Sequence, residues 1–359
     1  MRWGTLLAAA SVAVVPSLAA QGMAIGEADS VLHALVETYG ASGAEGPVRD
    51  LVKQLLPRGV VTRTDTAGNL LVQFGRGKPL TVFIAHMDEI GWRVSSINDD
   101  GTVAIMNLGG FFSSFYEGRP ALIHTGAADV PAVFVPRDSV GRSPSHAPPS
   151  LRVDPGTGTR AGTIALGVQA GATVTMPKSY QRLAGTRATG RSFDDRVGVT
   201  ALILAARRLA VKPPRHAVLL IWSVREEIGL EGASAAAAAL GGTPAAVHAI
   251  DTFVSADAPL EIKTYGDAPL GQGAVIRAVD NSNVAPAALV DASLALAARD
   301  SIPLQLGATS GGNDGSVFAA WGVPDVPYGW PLRYSHSPAE VVDLRDVVAL
   351  ARLVESVAR

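Results

Sequence analysis

The chain has no cysteine among its 359 residues. Disulfide bonds and lipoprotein anchoring are therefore excluded, and cysteine gives no indication of the cellular compartment. Charge is also scarce: 17% of residues are charged and the formal net charge is −2, which points to neither nucleic acid nor an anionic membrane surface as a partner. No internal repeat is present. The 48% hydrophobic residues are enough for a large core or two domains of a soluble globular enzyme.

The first residues have the form of a secretory signal peptide. A positive start at Arg2 precedes the apolar run Leu6–Val15, and Ser17-Leu18-Ala19 provides a small-x-small cleavage pattern. The alternative is a buried or membrane-anchoring helix, but a bilayer span needs roughly 20 apolar residues and this run is shorter. We predict that residues 1–19 are removed, that the mature chain begins at or near Ala20, and that it is secreted or periplasmic without further membrane contact.

Residues 20–91 and 184–359 have the pattern of one α/β domain. The short apolar runs Thr81–Ala85 and Ala217–Val224 are typical of buried strands in a mainly parallel sheet, and His86 and the Glu226–Glu227 pair follow them. We predict a mainly parallel mixed sheet flanked by helices. Helical spacing of apolar residues covers six segments: Ala28–Tyr39, Gly46–Leu56, Val197–Leu209, Leu230–Leu240, Ala285–Arg299 and Asp343–Val357.

Residues 92–183 have a different pattern. Short β-type runs alternate there with Gly, Pro and Asp, and no convincing helix is found. The runs are Val103–Met106, Ala121–His124, Ala132–Val135 and Thr173–Met176. We predict a small all-β insertion between the first two ligand motifs, with a loop at Ser139–Pro155.

Five separated motifs carry metal-type ligands and one additional carboxylate. They are His86 in AHMDEIG, Asp194 in RSFDDRVG, Glu226–Glu227 in SVREEIGLEGA, Asp251 in HAIDTF and His336 in RYSHSPAEVVDLRDV. Two His and three carboxylates can hold two divalent ions if one carboxylate bridges them, which leaves one Glu free to handle a proton. Hydrolysis at a paired-metal site needs this inventory.

Some of these residues have simpler structural explanations. Asp194 and Asp195 could merely cap a helix, and Glu226–Glu227 could be a solvated strand end. Two adjacent acids cap no better than one, however, and two unpaired acids directly after a buried strand would be costly. His86 could be a buried structural histidine, but Asp88, two residues on, points the same way on an extended segment and can accept its second imidazole N–H.

With these motifs in this order, the chain resembles the tetrahedral (TET) or glutamyl/deblocking metallo-aminopeptidases, within the co-catalytic dimetal exopeptidases. The resemblance runs from about Val31 to Arg359 and includes RGKPLTVFIAHMDEIG, GGNDG at 311–315 and the closing HSPAEVVDLRDV. It implies that the insertion is a barrel-like assembly domain. It also implies peptide substrates with a free N-terminus and a homo-oligomer between a dimer and a dodecamer.

The resemblance implies a role for each motif residue. The ligands fall into two sets that share a bridging carboxylate: His86 and Asp251 on one ion, Glu227 and His336 on the other, and Asp194 on both. Glu226 is the expected general base and acid, and Asp88 supports His86. Asp257 competes with Asp251, and Glu340 or Asp343 could orient His336. Zinc is the first expectation for both ions, and cobalt or manganese would fit the same ligands.

The expected reaction is hydrolysis of the N-terminal peptide bond by a water that bridges two metal ions. Two alternatives stay open: a related dimetal carboxypeptidase or deacylase, and a non-catalytic binding protein on the same fold. Three departures from the family pattern also bear on specificity. Arg225 replaces a usual Gln, Asn313 a usual Thr, and Gly315-Ser316 a usual Ala-Gly. A cation beside Glu226 could change its pKa or the preferred substrate charge.

Overall fold

A computed structural model of the protein describes residues 18–137, 150–259 and 266–359. Residues 1–17 of the predicted signal peptide lie outside the described residues, as does the 139–149 part of the predicted loop. Among the described residues, no helix combines the length and the apolar character that crossing a membrane requires.

The described residues form seven α-helices. They are α1 (Leu18–Val36), α2 (Gly46–Leu55), α3 (Arg160–Ala165), α4 (Phe193–Val211), α5 (Glu231–Leu240), α6 (Ala287–Arg299) and α7 (Leu344–Val357). Six of them overlap the predicted helical segments, although α1 begins at Leu18 rather than at the predicted Ala28. The prediction that the insertion contains no helix is wrong, because α3 lies within it. This helix has six residues, too few to show a periodicity, and the Thr159 side chain caps it by accepting a hydrogen bond from the Gly162 N–H.

Nineteen strands are formed by the described residues. They are β1 (Thr62–Thr64), β2 (Leu70–Phe74), β3 (Leu80–His86), β4 (Gly91–Ile97), β5 (Val103–Leu108), β6 (Pro120–His124), β7 (Asp129–Phe134), β8 (Arg152–Asp154), β9 (Thr173–Thr175), β10 (Gln181–Arg182), β11 (Arg187–Gly190), β12 (Ala217–Ser223), β13 (Ala246–Ala249), β14 (Phe253–Val254), β15 (Ala274–Val279), β16 (Leu304–Ala308), β17 (Tyr328–Gly329), β18 (Pro331–Leu332) and β19 (Glu340–Asp343).

The central sheet has the order β1-β2-β12-β3-β13. Strands β12, β3 and β13 run parallel to one another, whereas β2 runs antiparallel to both of its neighbours, β12 and β1. The predicted mixed α/β sheet is therefore confirmed. Every residue of β12 is buried because helices cover both faces: α1, α4 and α7 pack on one, and α5 packs on the other. Burying each large aliphatic side chain in these layers stabilises the fold by about 1.5–3 kcal/mol.

The register of this sheet positions the site. Ser223, the last residue of β12, lies opposite His86, the last residue of β3. The chain segments that follow parallel neighbouring strands must therefore leave the sheet at the same edge. His86 and the Glu226–Glu227 pair are brought together in this way.

The inserted residues form a closed barrel of six antiparallel strands, in the order β4-β5-β8-β7-β6-β9. Its strands run from Gly91 to Thr175. The barrel has a core of its own, in which Trp92, Tyr116 and Phe134 are buried and in ring contact. The predicted barrel-like insertion is confirmed. Beyond it, β10 pairs with β11, which pairs with β19 near the C-terminus.

Candidate metal centre

His86 ends β3 and is buried. Its Nε2 lies 3.2 Å from Asp194 Oδ1 and 4.0 Å from Glu226 Oε2. Its Nδ1 lies 3.2 Å from the backbone carbonyl oxygen of Asp88, while the Asp88 carboxylate, the acceptor expected from the sequence, is 3.5 Å away. The carbonyl can only accept, so Nδ1 donates to it and Nε2 is the ring nitrogen directed at Asp194; metal-binding histidines are commonly oriented in this way.

The Asp88 carboxylate holds the segment that carries the two glutamates. It accepts hydrogen bonds from the backbone N–H groups of Glu226 at 3.0 Å and Glu227 at 3.2 Å, and from the Ser42 hydroxyl at 2.6 Å. Burial acts to raise the pKa of the Asp88 carboxyl, but the His86 ring, the Ser42 hydroxyl and the Glu226 N–H hold that pKa below its ordinary value. Asp88 therefore couples the turn after β12 to the end of β3.

Asp194 lies between the two histidines of the site. Its Oδ1 is 3.2 Å from His86 Nε2 and its Oδ2 is 3.5 Å from His336 Nε2. A carboxylate that offers one oxygen to each imidazole is placed as a bridging ligand would be. Its neighbour Asp195 accepts hydrogen bonds from the backbone N–H groups of His86 at 3.1 Å and Gly198 at 2.8 Å. Asp195 thus holds the backbone of His86 from behind the cluster.

Glu227 and His336 form the other side of the cluster. His336 Nε2 lies 3.3 Å from Glu227 Oε1, and this buried oxygen has no hydrogen-bond partner among the described residues. Of the two residues expected to orient His336, Glu340 contacts it, since its Oε1 accepts the His336 backbone N–H at 2.9 Å. Asp343 instead caps α7 by accepting the Arg345 N–H.

Asp251 follows β13 and is buried beside an arginine that sequence reasoning missed. Its Oδ2 lies 3.1 Å from a guanidinium nitrogen of Arg277, which also pairs with Asp280 at 3.0 Å. The strand AVIRAV did contain a signal for this pair: its arginine lies among apolar residues, and an arginine is rarely buried unless it is paired with an acid. Asp257, the alternative ligand to Asp251, is not part of the groups of potential ligands; it forms an ion pair with Arg333 at 2.7 Å.

Among the described residues, three groups each bring their potential ligand atoms within 4.8 Å of one another: His86–Asp194–Asp251, Asp194–Glu227–His336 and His86–Glu226–Glu227. The first two groups share Asp194 and match the two ligand sets that the resemblance implies. The third places Glu226 next to both sets.

The charge at the site suits cations. Burial raises the pKa of Asp251 to about 7 and that of Asp314 to about 6, and it raises the pKa of Glu226 well above its ordinary value. Neighbouring carboxylates raise the pKa values of Glu226 and Asp251 further. Burial opposes protonation of His86 and His336, yet the facing carboxylates raise the pKa of both rings well above the ordinary value. Burying several carboxylates together is costly unless cations compensate them, so this cluster, with a Glu227 oxygen that has no hydrogen bond among the described residues, fits a pair of divalent ions.

A cavity of about 1430 Å³ opens onto the cluster. Its walls include the segment 110–119 of the barrel, the ligand-bearing turns, Arg277, the segment 310–312 and the segment 334–339 around His336. The volume is large enough for the end of a peptide. Asp314 in the GGNDG segment is buried and accepts a hydrogen bond from the Ser223 hydroxyl at the end of β12.

Comparisons with known proteins agree with this geometry. The sequence profile of a family described as M42 glutamyl aminopeptidase matches residues 68–353. A lysyl aminopeptidase from Pyrococcus furiosus is 28% identical over 339 residues, covering 91% of this chain and 95% of the relative. The solved TET1 peptidase of Pyrococcus horikoshii is 31% identical to this chain, with a TM-score of 0.84, and the match covers 92% of this chain and 99% of the peptidase. That peptidase can assemble into a tetrahedron or a large octahedral shell. A second TET1 structure, PhTET1-12s, is a dodecamer with a TM-score of 0.83 at 30% identity over 93% and 98% of the two chains.

Proposed function

Because the chain belongs to the M42 glutamyl aminopeptidase family, and is thus an aminopeptidase that hydrolyses peptide bonds, we propose that it removes N-terminal residues from peptides at a centre of two divalent ions. His86 and Asp251 would hold one ion, Glu227 and His336 the other, and Asp194 would bridge them. The observation that carries this proposal is the pair of ligand groups that share Asp194. Zinc is the proposed metal, since mixed histidine and carboxylate ligands suit it.

Two ions at this position would polarise the scissile carbonyl and make a water acidic enough to attack near neutral pH. The chain itself supplies the proton transfer. Glu226 lies beside the ligands without being required by either set, and its side chain lines the cavity. We assign it to take a proton from the attacking water and to return it to the leaving amine. Asp88 fixes the backbone of Glu226, and so keeps the base in place.

A substrate panel tests this function. Chelated enzyme is assayed on aminoacyl chromophores with a free amine, on their N-acyl counterparts and on C-terminal substrates, with zinc, cobalt or manganese added back. The expected result is metal-dependent release from free-amine substrates only. Cleavage of N-acyl or C-terminal substrates instead would favour a deacylase or carboxypeptidase. Binding of no divalent ion by the folded protein would reject the proposed centre.

We propose further that the protein is a homo-oligomer. Support comes from the TET1 relatives, one of which is a dodecamer and one of which can form a tetrahedron or an octahedral shell. Light scattering on the purified protein gives the oligomer's mass, and a monomer at working concentration would reject this proposal.

Export is a separate proposal that rests on the sequence of residues 1–19 alone. A secreted or periplasmic protein should begin at or near Ala20. N-terminal sequencing of protein from the native cell tests this, and an intact Met1 on cytoplasmic protein would reject it.

A further inference from the structure

The inserted barrel reaches the candidate metal centre through the loop between β5 and β6. The backbone carbonyl oxygen of Gly110 in this loop lies 2.5 Å from Nδ1 of His336, which is 226 residues away in the sequence. A few residues further along the loop, the Tyr116 hydroxyl donates a hydrogen bond to the backbone carbonyl oxygen of His336 at 3.2 Å. Two contacts from the barrel therefore hold one candidate ligand, one at its side chain and one at its backbone.

The backbone of His336 needs such support. Its φ is +57°, in the left-handed region that residues other than glycine rarely adopt, and Tyr334 two residues earlier has a φ of +61°. Within the catalytic domain, the Glu340 carboxylate accepts the His336 N–H at 2.9 Å. The Tyr116 hydroxyl and the Gly110 carbonyl supply the other two contacts described above. The unusual conformation of His336 is thus fixed from both sides of the boundary between the two domains.

Tyr116 is itself held rigidly. It is completely buried, and its ring meets Trp92 edge-on with 4.7 Å between centroids. Phe111 and Phe134 complete the aromatic cluster at 5.3 and 6.0 Å. The barrel core therefore determines where the Tyr116 hydroxyl lies.

The same loop approaches Glu227, the other candidate ligand of this ion. A Cβ on Gly109 would stand 3.2 Å from Glu227 Oε2 and 2.6 Å from a methyl carbon of Ile90, and Gly109 has a φ of +99°. Only glycine allows the loop to pass this close.

We propose that the inserted barrel completes the metal centre, and that Tyr116 is a positioning residue for the ion held by Glu227 and His336. The inference rests on the proposed function, since it needs those residues to be ligands. The Gly110 carbonyl accepts the Nδ1–H of His336, so Nε2 is the ring nitrogen that faces the other candidate ligands. That nitrogen lies 3.3 Å from Glu227 Oε1 and 3.5 Å from Asp194 Oδ2. Residues that orient a liganding histidine typically change metal affinity by about 10- to 100-fold when they are altered.

The test is Tyr116→Phe, which keeps the ring in its aromatic cluster and removes only the hydroxyl. Chelated full-length protein is titrated with zinc in a calorimeter. We expect the affinity for one of two ions to fall roughly tenfold or more and the affinity for the other to stay at the wild-type value. Tyr328→Phe is the matched control: it also removes a buried hydroxyl, whose partner is Ser293 at 2.6 Å, and both ions should then bind as in the wild type. Thermal unfolding verifies that both variants are folded.

A double mutant identifies the ion. His336→Ala should remove the ion that Tyr116→Phe weakens, so adding Tyr116→Phe to His336→Ala should leave the affinity for the remaining ion unchanged. Wild-type affinities for both ions in Tyr116→Phe, or equal weakening of both, would overturn the inference while leaving the proposed function intact. A folded wild-type protein that binds no zinc would overturn both.

Discussion

The guanidinium of Arg225 is paired with the carboxylate of Glu231, with 2.5 Å between Nε and Oε2. A second nitrogen of the same guanidinium donates a hydrogen bond to the Ala67 carbonyl at 3.1 Å. Arg225 stands directly before Glu226, where the resembled family usually has glutamine, and its charge was expected to affect the pKa of Glu226 or the preferred substrate charge. The pairing instead holds this charge near the protein surface, beside a Glu231 side chain that is half exposed.

Arg225→Gln should consequently change catalysis little. We expect the pH dependence of kcat/KM to keep its shape, and the free energy of unfolding to fall by less than about 1 kcal/mol, because the lost ion pair is exposed. A pH–rate series and a urea titration measure the two effects. A displaced acid limb of the profile would show that the Arg225 charge does act on the base.

Glu226→Gln should nearly abolish turnover and leave both ions bound. The amide keeps the size of the side chain but can no longer accept a proton, and loss of a general base typically lowers the rate by about 10²- to 10⁴-fold. Steady-state assays with metal analysis of the same sample measure both properties. If the variant loses its ions, Glu226 is a ligand and the roles of Glu226 and Glu227 are exchanged.

Asp194→Ala and His336→Ala should differ in metal content. Asp194 contacts both histidines, so its loss should disturb both ions, whereas loss of His336 should mainly empty one. Zinc is counted per chain after dialysis of each variant against the same buffer. An Asp194→Ala protein that still holds two ions per chain would contradict the bridging role.

The parts of the fold that could be predicted have a local signal. The run AVLLIWSV predicts a buried parallel strand because it is almost entirely apolar, and β12 is formed by its first seven residues. The paired strands β1 and β2 follow from the turn residues between Thr64 and Leu70. The five ligand motifs could be found because each stands directly after such an element, or in a segment that the family resemblance covers.

The remaining features depend on contacts between distant segments. The ion pair of Arg277 with Asp251 and the bond from Tyr116 to His336 join residues far apart in sequence. The strand AVIRAV indicates that Arg277 needs a partner, but no local pattern identifies Asp251 as that partner or His336 as the acceptor of the Tyr116 hydroxyl. The sheet β16-β15-β17 was also not predicted, since its edge strand LQLGA is short and only partly buried. Such features are decided by packing, which a single sequence does not display.

A buried charge cluster joins the catalytic domain to the end of the barrel. The Glu89 carboxylate is completely buried and pairs with Lys178, with Arg191 at 2.8 Å and with Arg196 at 3.7 Å. Burial by itself would raise the pKa of Glu89, but these three cations hold it well below its ordinary value. Lys178 follows the last barrel strand, so the cluster links the two parts of the chain.

Glu89→Gln should therefore destabilise the protein strongly, by about 3–5 kcal/mol near pH 7, because it leaves buried cations unpaired. The folded-state pKa of Glu89 is depressed, so its contribution is complete above the unfolded value of about 4.3 and is lost as the pH falls towards the folded value. Urea unfolding of chelated wild type and variant at fixed concentration should show a difference that narrows below about pH 4. Glu231→Gln, at a surface pair, is the control and should cost less than about 1 kcal/mol. A difference that does not depend on pH would contradict the assignment.

If the barrel carries the assembly surface, excision of Asn98–Tyr180 should yield a monomer with weakened activity. The structure makes that experiment ambiguous, because the excised range contains Gly110, Tyr116 and Lys178, which contact the catalytic domain. Weakened activity would then follow from a damaged metal centre as readily as from lost subunit contacts. Substitutions on the outside of an intact barrel separate the two causes.

Six large apolar side chains among the described residues of the barrel, from Gly91 to Thr175, are exposed. Phe112 and Phe115 line the cavity, whereas Met106, Val133, Ile164 and Leu166 do not. Exposed apolar surface of this kind favours association between subunits. We predict that Val133→Lys combined with Ile164→Lys gives a smaller oligomer by size exclusion with light scattering, because charge at a subunit contact must be desolvated there. Zinc content and kcat on an aminoacyl chromophore should stay at wild-type values, since neither residue lies among the ligands or on the segment 109–116. An unchanged oligomer would place the assembly surface in the catalytic domain, and a smaller oligomer that also loses zinc would mean that subunit contacts reach His336 through the barrel.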